Sequence, residues 1–350
     1  MADNTIYSVT GNAISTSINW KRRYRVVVYN HANGTASSDI VAAATAKEGD
    51  YALDVSNLRC TFKIKRYALY YPNQAIITIY NLKAGTENAI LEEGYRVMVY
   101  AGYGDEKAGL WGQIFDGTIV MCNRWKESGT DYKLQILALD GTQFINEGYC
   151  SFTFERGQTA RAVIENTANK ASNPIELGYA SPVFDTIKYS KGIVVHGLAK
   201  NTLSDIAKTA NGTWYVDNGK LYVIAYSDSA DNLPNGKEAV ELSETSGLIG
   251  NPQQVNQGIT ARCLLNPKIM PYSLVHINNE LITQQLVSLG TYSQGISTPW
   301  LLDPHGLYRV IAVEFTGDTR GNEWYTDITA VTQSTTNLPE LLQSLGGTIN

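Results

Sequence analysis

The chain is 350 residues long, carries a net charge of -5 at pH 7 and draws only 17% of its residues from Asp, Glu, Lys and Arg. That length allows two or three cores at ~100 to 200 residues per domain, and the negative balance excludes a global basic field for sequence-specific nucleic-acid binding. Low charge with 22 tyrosines and 30 glycines suits a β-rich protein and a surface covered by other protein, since interfaces are poor in charge and rich in aromatics.

Residues 1–19 are polar, rich in Ser, Thr and Asn, and are expected to reach from the body as an N-terminal extension. They hold no basic segment followed by an apolar core, and no apolar run approaches the ~18 residues of a membrane span. Synthesis and folding in the cytosol without membrane insertion are therefore expected. Residues 24–29 read as a strand behind the basic cluster Lys21, Arg22, Arg23 and Arg25, which is read as a solvated strand edge rather than a phosphate contact. Leu58, Cys60, Phe62 and Ile64 alternate as a half-buried strand does. Past Pro72 and Asn73, residues 75–80 make a further strand, and residues 86–91 have room for a short helix.

Residues 94–140 carry the pattern around which the chain is organised. Tyr95, Val97 and Val99 share one side of a first strand, and Phe115, Ile119 and Met121 share one face of a second. After a polar turn at 126–130, Leu134, Ile136 and Ala138 oppose Leu137 and Leu139 on a third. Residues 270–333 repeat this order in looser form, with 271–278, 306–315 and 324–331 standing for the three strands.

Between the two patterns the composition changes. Ala160, Val163, Ile164, Thr167, Ala168 and Ala171 follow helical spacing behind Thr159 as N-cap. A second helix is expected with Thr202 as cap, a stripe of Leu203, Ile206, Ala207 and Ala210, and Gly212 as stop. Strands 213–216 and 221–224 flank Asp217, Asn218 and Gly219 as a hairpin. In the second β region Ile259, Ala261 and Cys263 alternate. At the end, Leu338, Leu341, Leu342 and Leu345 share a face between Asn337 as cap and Gly346 as stop. The expected fold is mainly β with an α+β insert. A first antiparallel barrel over 20–148, a helix-containing middle domain over 149–236, a second barrel over 237–334 and a C-terminal amphipathic tail over 335–350 follow the extension at 1–19.

Chemistry is sparse. No Walker loop, HExxH, GxSxG or dinucleotide fingerprint occurs. Cys60, Cys122, Cys150 and Cys263 have no CxxC spacing and read as buried thiols. His31, His196, His276 and His305 lie far apart and read as surface or strand residues rather than ligands. Asp228, Asp231 and Glu238 lack the spacing of a calcium loop. Glu92, Glu93, Asp116, Asp140 and Glu314 are candidates for a hydrolytic carboxylate pair by residue type alone, because such pairs are assembled in space. The expectation is a chain that is not an enzyme, with no catalytic, cofactor-binding or metal-binding residues and with partner-interface residues unknown.

The ordered set of residues 76–82, a short helix, residues 93–97, residues 101–103 and residues 112–119 resembles the first barrel of baseplate hub proteins of contractile phage tails and tail-like bacteriocins. The middle helices, the hairpin at 214–224 and residues 246–252 through 264–267 are similar to the insert and the start of the second barrel of that family. The resemblance covers roughly residues 24–333. It implies two tube-like barrels per chain and a homotrimer, so that six similar units surround one axis. It further implies a structural virion component in the tail baseplate, a symmetry adaptor that meets a hexameric tail tube, a trimeric spike and other baseplate proteins. Loops 30–38 and 284–299 are long enough to reach such partners. Beside it stands a carbohydrate-binding or glycan-processing β protein, in which exposed Trp111, Trp125, Trp300 or Trp324 would stack on sugars.

Overall fold

The structure, a computed structural model, describes residues 9–10, 21–29, 52–54, 58–91, 96–104, 110–228, 239–255, 258–283 and 302–332. The loops 30–38 and 284–299, the tail at 335–350, Tyr95 and all of the extension except Val9 and Thr10 lie outside the described residues.

The first β region holds β1 (Val9–Thr10), β2 (Arg22–Tyr29), β3 (Ala52–Asp54), β4 (Cys60–Tyr67) and β5 (Gln74–Tyr80). Helix α1 (Ala84–Ile90) then leads to the meander of β6 (Arg96–Tyr103), β7 (Trp111–Lys126) and β8 (Tyr132–Leu139). The middle unit begins with α2 (Thr142–Glu147), β9 (Tyr149–Phe154), α3 (Ala160–Lys170), β10 (Glu176–Ala180) and α4 (Val183–Thr186). It continues with β11 (Ile193–Leu198), α5 (Ala199–Thr209) and the hairpin of β12 (Gly212–Asp217) and β13 (Lys220–Ala225). The second β region has β14 (Ala239–Leu242), β15 (Leu248–Val255), β16 (Gly258–Leu264), β17 (Leu274–Ile277), β18 (Leu307–Asp318) and β19 (Trp324–Thr332).

The two β regions share one strand order. In the first it is β2-β6-β7-β8-β5-β4, and in the second β14-β17-β18-β19-β16-β15. Each is a lone strand, a hairpin and a meander in chain order, with the lone strand on the first meander strand and the hairpin's second strand on the last. One pairing differs: β2 is antiparallel to β6, whereas β14 is parallel to β17. A shared irregularity marks the correspondence further. In β7 the register against β8 shifts between Ile119 and Met121, and in β18 the register against β19 shifts between Val310 and Ala312. Each shift adds one residue to the middle strand opposite an alanine, Ala138 or Ala330, and bulges are retained features rather than accidents.

That bulge corrects one expectation. Phe115 and Ile119 are buried, but the extra residue Val120 turns Met121 to the other side, where it is 47% exposed. The alternations of Cys60, Phe62 and Ile64, of Leu134, Ile136 and Ala138, and of Ile259, Ala261 and Cys263 all face inward, as strand period requires.

The β regions are joined directly. The C-terminal half of β18 pairs antiparallel with β4, from Ala312 opposite Tyr67 to Asp318 opposite Thr61. One apolar core runs through both regions, and in it Trp324 of the second region meets Phe62 of the first edge to face at 5.4 Å. The middle unit has its own core, in which α3 and α5 cover strands around Phe184, Leu203 and Trp214. Helix α3 starts as expected, with the Thr159 hydroxyl accepting from the Ala162 amide at 3.2 Å. Helix α5 starts earlier than expected, at Ala199 behind Leu198, which offers no side-chain cap, so Thr202 lies within the first turn.

Candidate functional site: the buried junction and the exposed faces

The β12–β13 hairpin of the middle unit is held at both ends by buried arginines from the two β regions. At its turn, Arg66 of β4 donates from Nε to Asp217 Oδ1 at 2.7 Å, from Nη2 to Asp217 Oδ2, and from Nη1 to the Ile114 carbonyl at 3.3 Å. The two side chains are 1% and 4% exposed. Burial works against the Arg66 charge, but the Asp217 carboxylate outweighs it and the guanidinium is held above its usual pKa. Asn73 adds Nδ2 bonds to the Val216 carbonyl at 2.9 Å and to Asp217 at 3.1 Å. The turn itself has Asn218 and Gly219 at φ 50° and 73°, the left-handed pair that a tight two-residue hairpin needs.

At the other end, Arg309 of β18 donates to the Tyr272 hydroxyl at 2.8 Å and to the Asp228 carbonyl at 3.1 Å. The Asp228 carboxylate accepts from the Ser181 hydroxyl and from the Ala225 amide. Burial raises its pKa, against those hydrogen bonds and the Arg309 charge. Asp228 is therefore a tie within the fold, while Asp231 and Glu238 lie outside the described residues.

The structure brings two of the singled-out carboxylates, Asp116 and Asp140, toward this junction. Asp116 receives Nε and Nη2 of Arg96 and Nε2 of Gln113. Asp140 accepts from the Gly219 amide at 3.1 Å through Oδ1, and its buried Oδ2 has no hydrogen-bond partner. Burial, then the charges of Asp217 and Asp116, raise the Asp140 pKa well above the ordinary carboxylate value, against the Gly219 amide and Arg66. Glu314 lies elsewhere, bound to Lys63 at 2.8 Å across the β4–β18 seam. Glu92 and Glu93 are outside the described residues. An acid–base pair must reach a substrate, whereas Asp116 and Asp140 are 5% and 2% exposed and held by the protein's own groups. Sequence reading missed Arg66, although it continues the inward parity of Cys60, Phe62 and Ile64; a cation on a buried face was the available signal.

The remaining candidates are dispersed. Trp324 is 2% exposed, Trp111 stacks on Tyr100 at 6.2 Å beneath the Arg23 guanidinium, and Trp125 is 41% exposed. Trp300 and His31 lie outside the described residues. His276 and His305 meet in an open groove of about 710 Å³ with Glu241 and Glu244, and His196 Nε2 lies 2.7 Å from the Tyr149 hydroxyl. Among the described residues no group of three or more His, Cys, Asp and Glu could hold a metal ion. Burial pushes the Cys60 and Cys263 thiols up to about 12, which leaves them unreactive. The basic cluster is not a plain solvated edge: Arg22 donates to the Gly321 and Asn322 carbonyls at 2.6 and 2.9 Å, tying β2 to the β18–β19 turn, and Arg25 pairs with Asp54.

Fold and junction together define a mainly β structural protein built on a repeated strand order, its charged clusters spent on tying its own parts together. Residues 40–281, more than two thirds of the chain, match the family described as Baseplate hub gp41, and the chain belongs to that family. Its role is accordingly structural, in the baseplate of a phage tail. Among solved structures it is similar to the 43 kDa tail protein of prophage MuSo2 from Shewanella oneidensis, at 10% identity and a TM-score of 0.52, over 90% of this chain and 98% of that one. It is also similar to the tail protein from Neisseria meningitidis MC58, at 10% identity and 0.48, over 88% of this chain and 96% of that one. A third similar structure is the E. coli c3393 protein, a component of the type VI secretion system, at 9% identity and 0.47, over 79% of this chain and 74% of that one. At such identities the likeness is one of fold. No curated protein matches the chain.

Proposed function

We propose that this chain is the hub of a contractile-tail baseplate, a homotrimeric symmetry adaptor between a hexameric tail tube and a trimeric spike. The observation that carries the reading is the strand order used twice, down to the bulge in each middle strand. Three copies of a chain with two equivalent modules present six similar seats about one axis, which lets threefold and sixfold partners share it. In this reading residues 20–148 and 237–334 are the two tube-like modules and 149–236 the unit braced between them. The chain acts through interfaces and not through catalysis, it is assembled in the host cytoplasm, and any cell-wall degradation belongs to another protein.

Light scattering of the purified protein and low-resolution imaging of the particle test this. A three-chain ring with a near-sixfold outline is expected. A monomer at every concentration, unchanged by added spike protein, overturns it.

A further inference from the structure

Inside the chain, the seam between the two β regions is made by the C-terminal half of β18 lying along β4, the outer strand of the first region's hairpin. The shared strand order equates β18 with β7 and β4 with β15. The equivalent seam would therefore join the distal half of β7 to β15, but within one chain these strands stand at opposite ends of a continuous run, β7-β8-β5-β4-β18-β19-β16-β15. Residues 123–126 of β7 pair with β8 on one side and with no described strand on the other. Residues 248–251 of β15 pair toward β16, and on the far side its one bridge, to Thr283, falls beyond them at Gln253.

Exposure follows the same logic. In the completed seam the bulge residue Ile311 is fully buried. At the matching place on β7, Val120 and Met121 are 42% and 47% exposed, and Ile249 on the far edge is 41% exposed. Charge is complementary as well. Residues 119–126 contain Arg124 and Lys126 and no acid, while residues 239–255 contain Glu241 and Glu244 and no base. Open strand edges are normally guarded by charge or cover, and β15 is an uncharged edge strand.

We propose that the distal half of β7 in one copy of this chain docks on the β15 edge of a second copy, repeating between chains the seam that β18 and β4 make within one. This rests on the trimer reading and names the surface that would form it. The two edges differ, so the contact is heterologous and closes only as a ring. The internal register transfers directly. Asp318 opposite Thr61 becomes Glu127 opposite Ile249, because Thr61 faces Thr78 as Ile249 faces Arg262 in the corresponding hairpins.

The full-length chain carrying Glu127→Cys and Ile249→Cys together, both surface changes, is oxidised and run without reductant. Covalent dimers and trimers are expected, and neither single variant should give the trimer. In parallel, Lys126→Glu and Glu244→Lys are each expected to raise the concentration for half assembly roughly tenfold, and the two combined to recover most of it. If wild-type protein is trimeric but the paired cysteines stay uncrosslinked and both reversals assemble normally, this surface is wrong and the trimer reading stands. If wild-type protein is monomeric throughout, both fall.

Discussion

Asp140 is a buried carboxyl with one oxygen satisfied and one not, which makes it a cost to the fold that pH should reveal. The folded chain holds its proton to a higher pH than the unfolded chain does. Between the ordinary value of about 3.9 and the raised one, the folded state binds more protons, so stability is lost as pH rises through that window. Asp140→Asn keeps an acceptor for the Gly219 amide and removes the titration. The variant should gain about 1 to 3 kcal/mol at pH 7, with the gain fading toward pH 4. Thermal melts at the two pH values check this, and an equal gain at both would refute it. Residue type drew attention to Asp116 and Asp140, but Asp217 was legible only as the start of a turn. Its partner Arg66 lies 151 positions away, and no local spacing encodes a pair so distant.

At the scale of elements, what was readable was what is local: the Thr159 cap, the alternating strands and the Asn218-Gly219 turn. The β9–β11 pair was not readable, because two short strands that meet across Ile193 and Phe154 have a helix, a strand and a further helical turn between them in sequence. The seam of β4 and β18 was equally hidden, yet it is packed closely enough to test. Gly317 sits opposite Phe62, and a Cβ placed there would lie 2.3 Å from the ring's Cζ. Trp324 backs that ring, so it has little room to retreat. Gly317→Ala should cost about 1 to 3 kcal/mol by overpacking, Gly129→Ala, with open space around it, close to nothing. Denaturant melts of Gly317→Ala, Phe62→Leu and the double variant measure the coupling. Strict additivity of the two would show that the ring and the glycine do not meet.

On the scale of the whole molecule, the repeat was visible in the order of strands and turns, but its physical consequence was not. Two similar barrels suggest two independent folding units, whereas here one core passes through both, and Trp324 closes it against Phe62 while the Tyr103 hydroxyl donates to the Trp324 carbonyl at 3.4 Å. Arg22 reinforces the same contact from β2. The β regions should therefore open together, although most of the chain's length separates their outer strands. The middle unit, with its separate core, should respond less. Trp324→Ala removes a large buried ring and is expected to cost about 3 to 5 kcal/mol. Hydrogen exchange on the full chain distinguishes the alternatives. Amides of β4 and β6 should lose protection in step with those of β16 and β19, while α3 keeps most of its own. Loss confined to β18 and β19 would mean that the barrels are independent bodies that merely touch, and that the seam between them is too weak to serve as the pattern for one between chains.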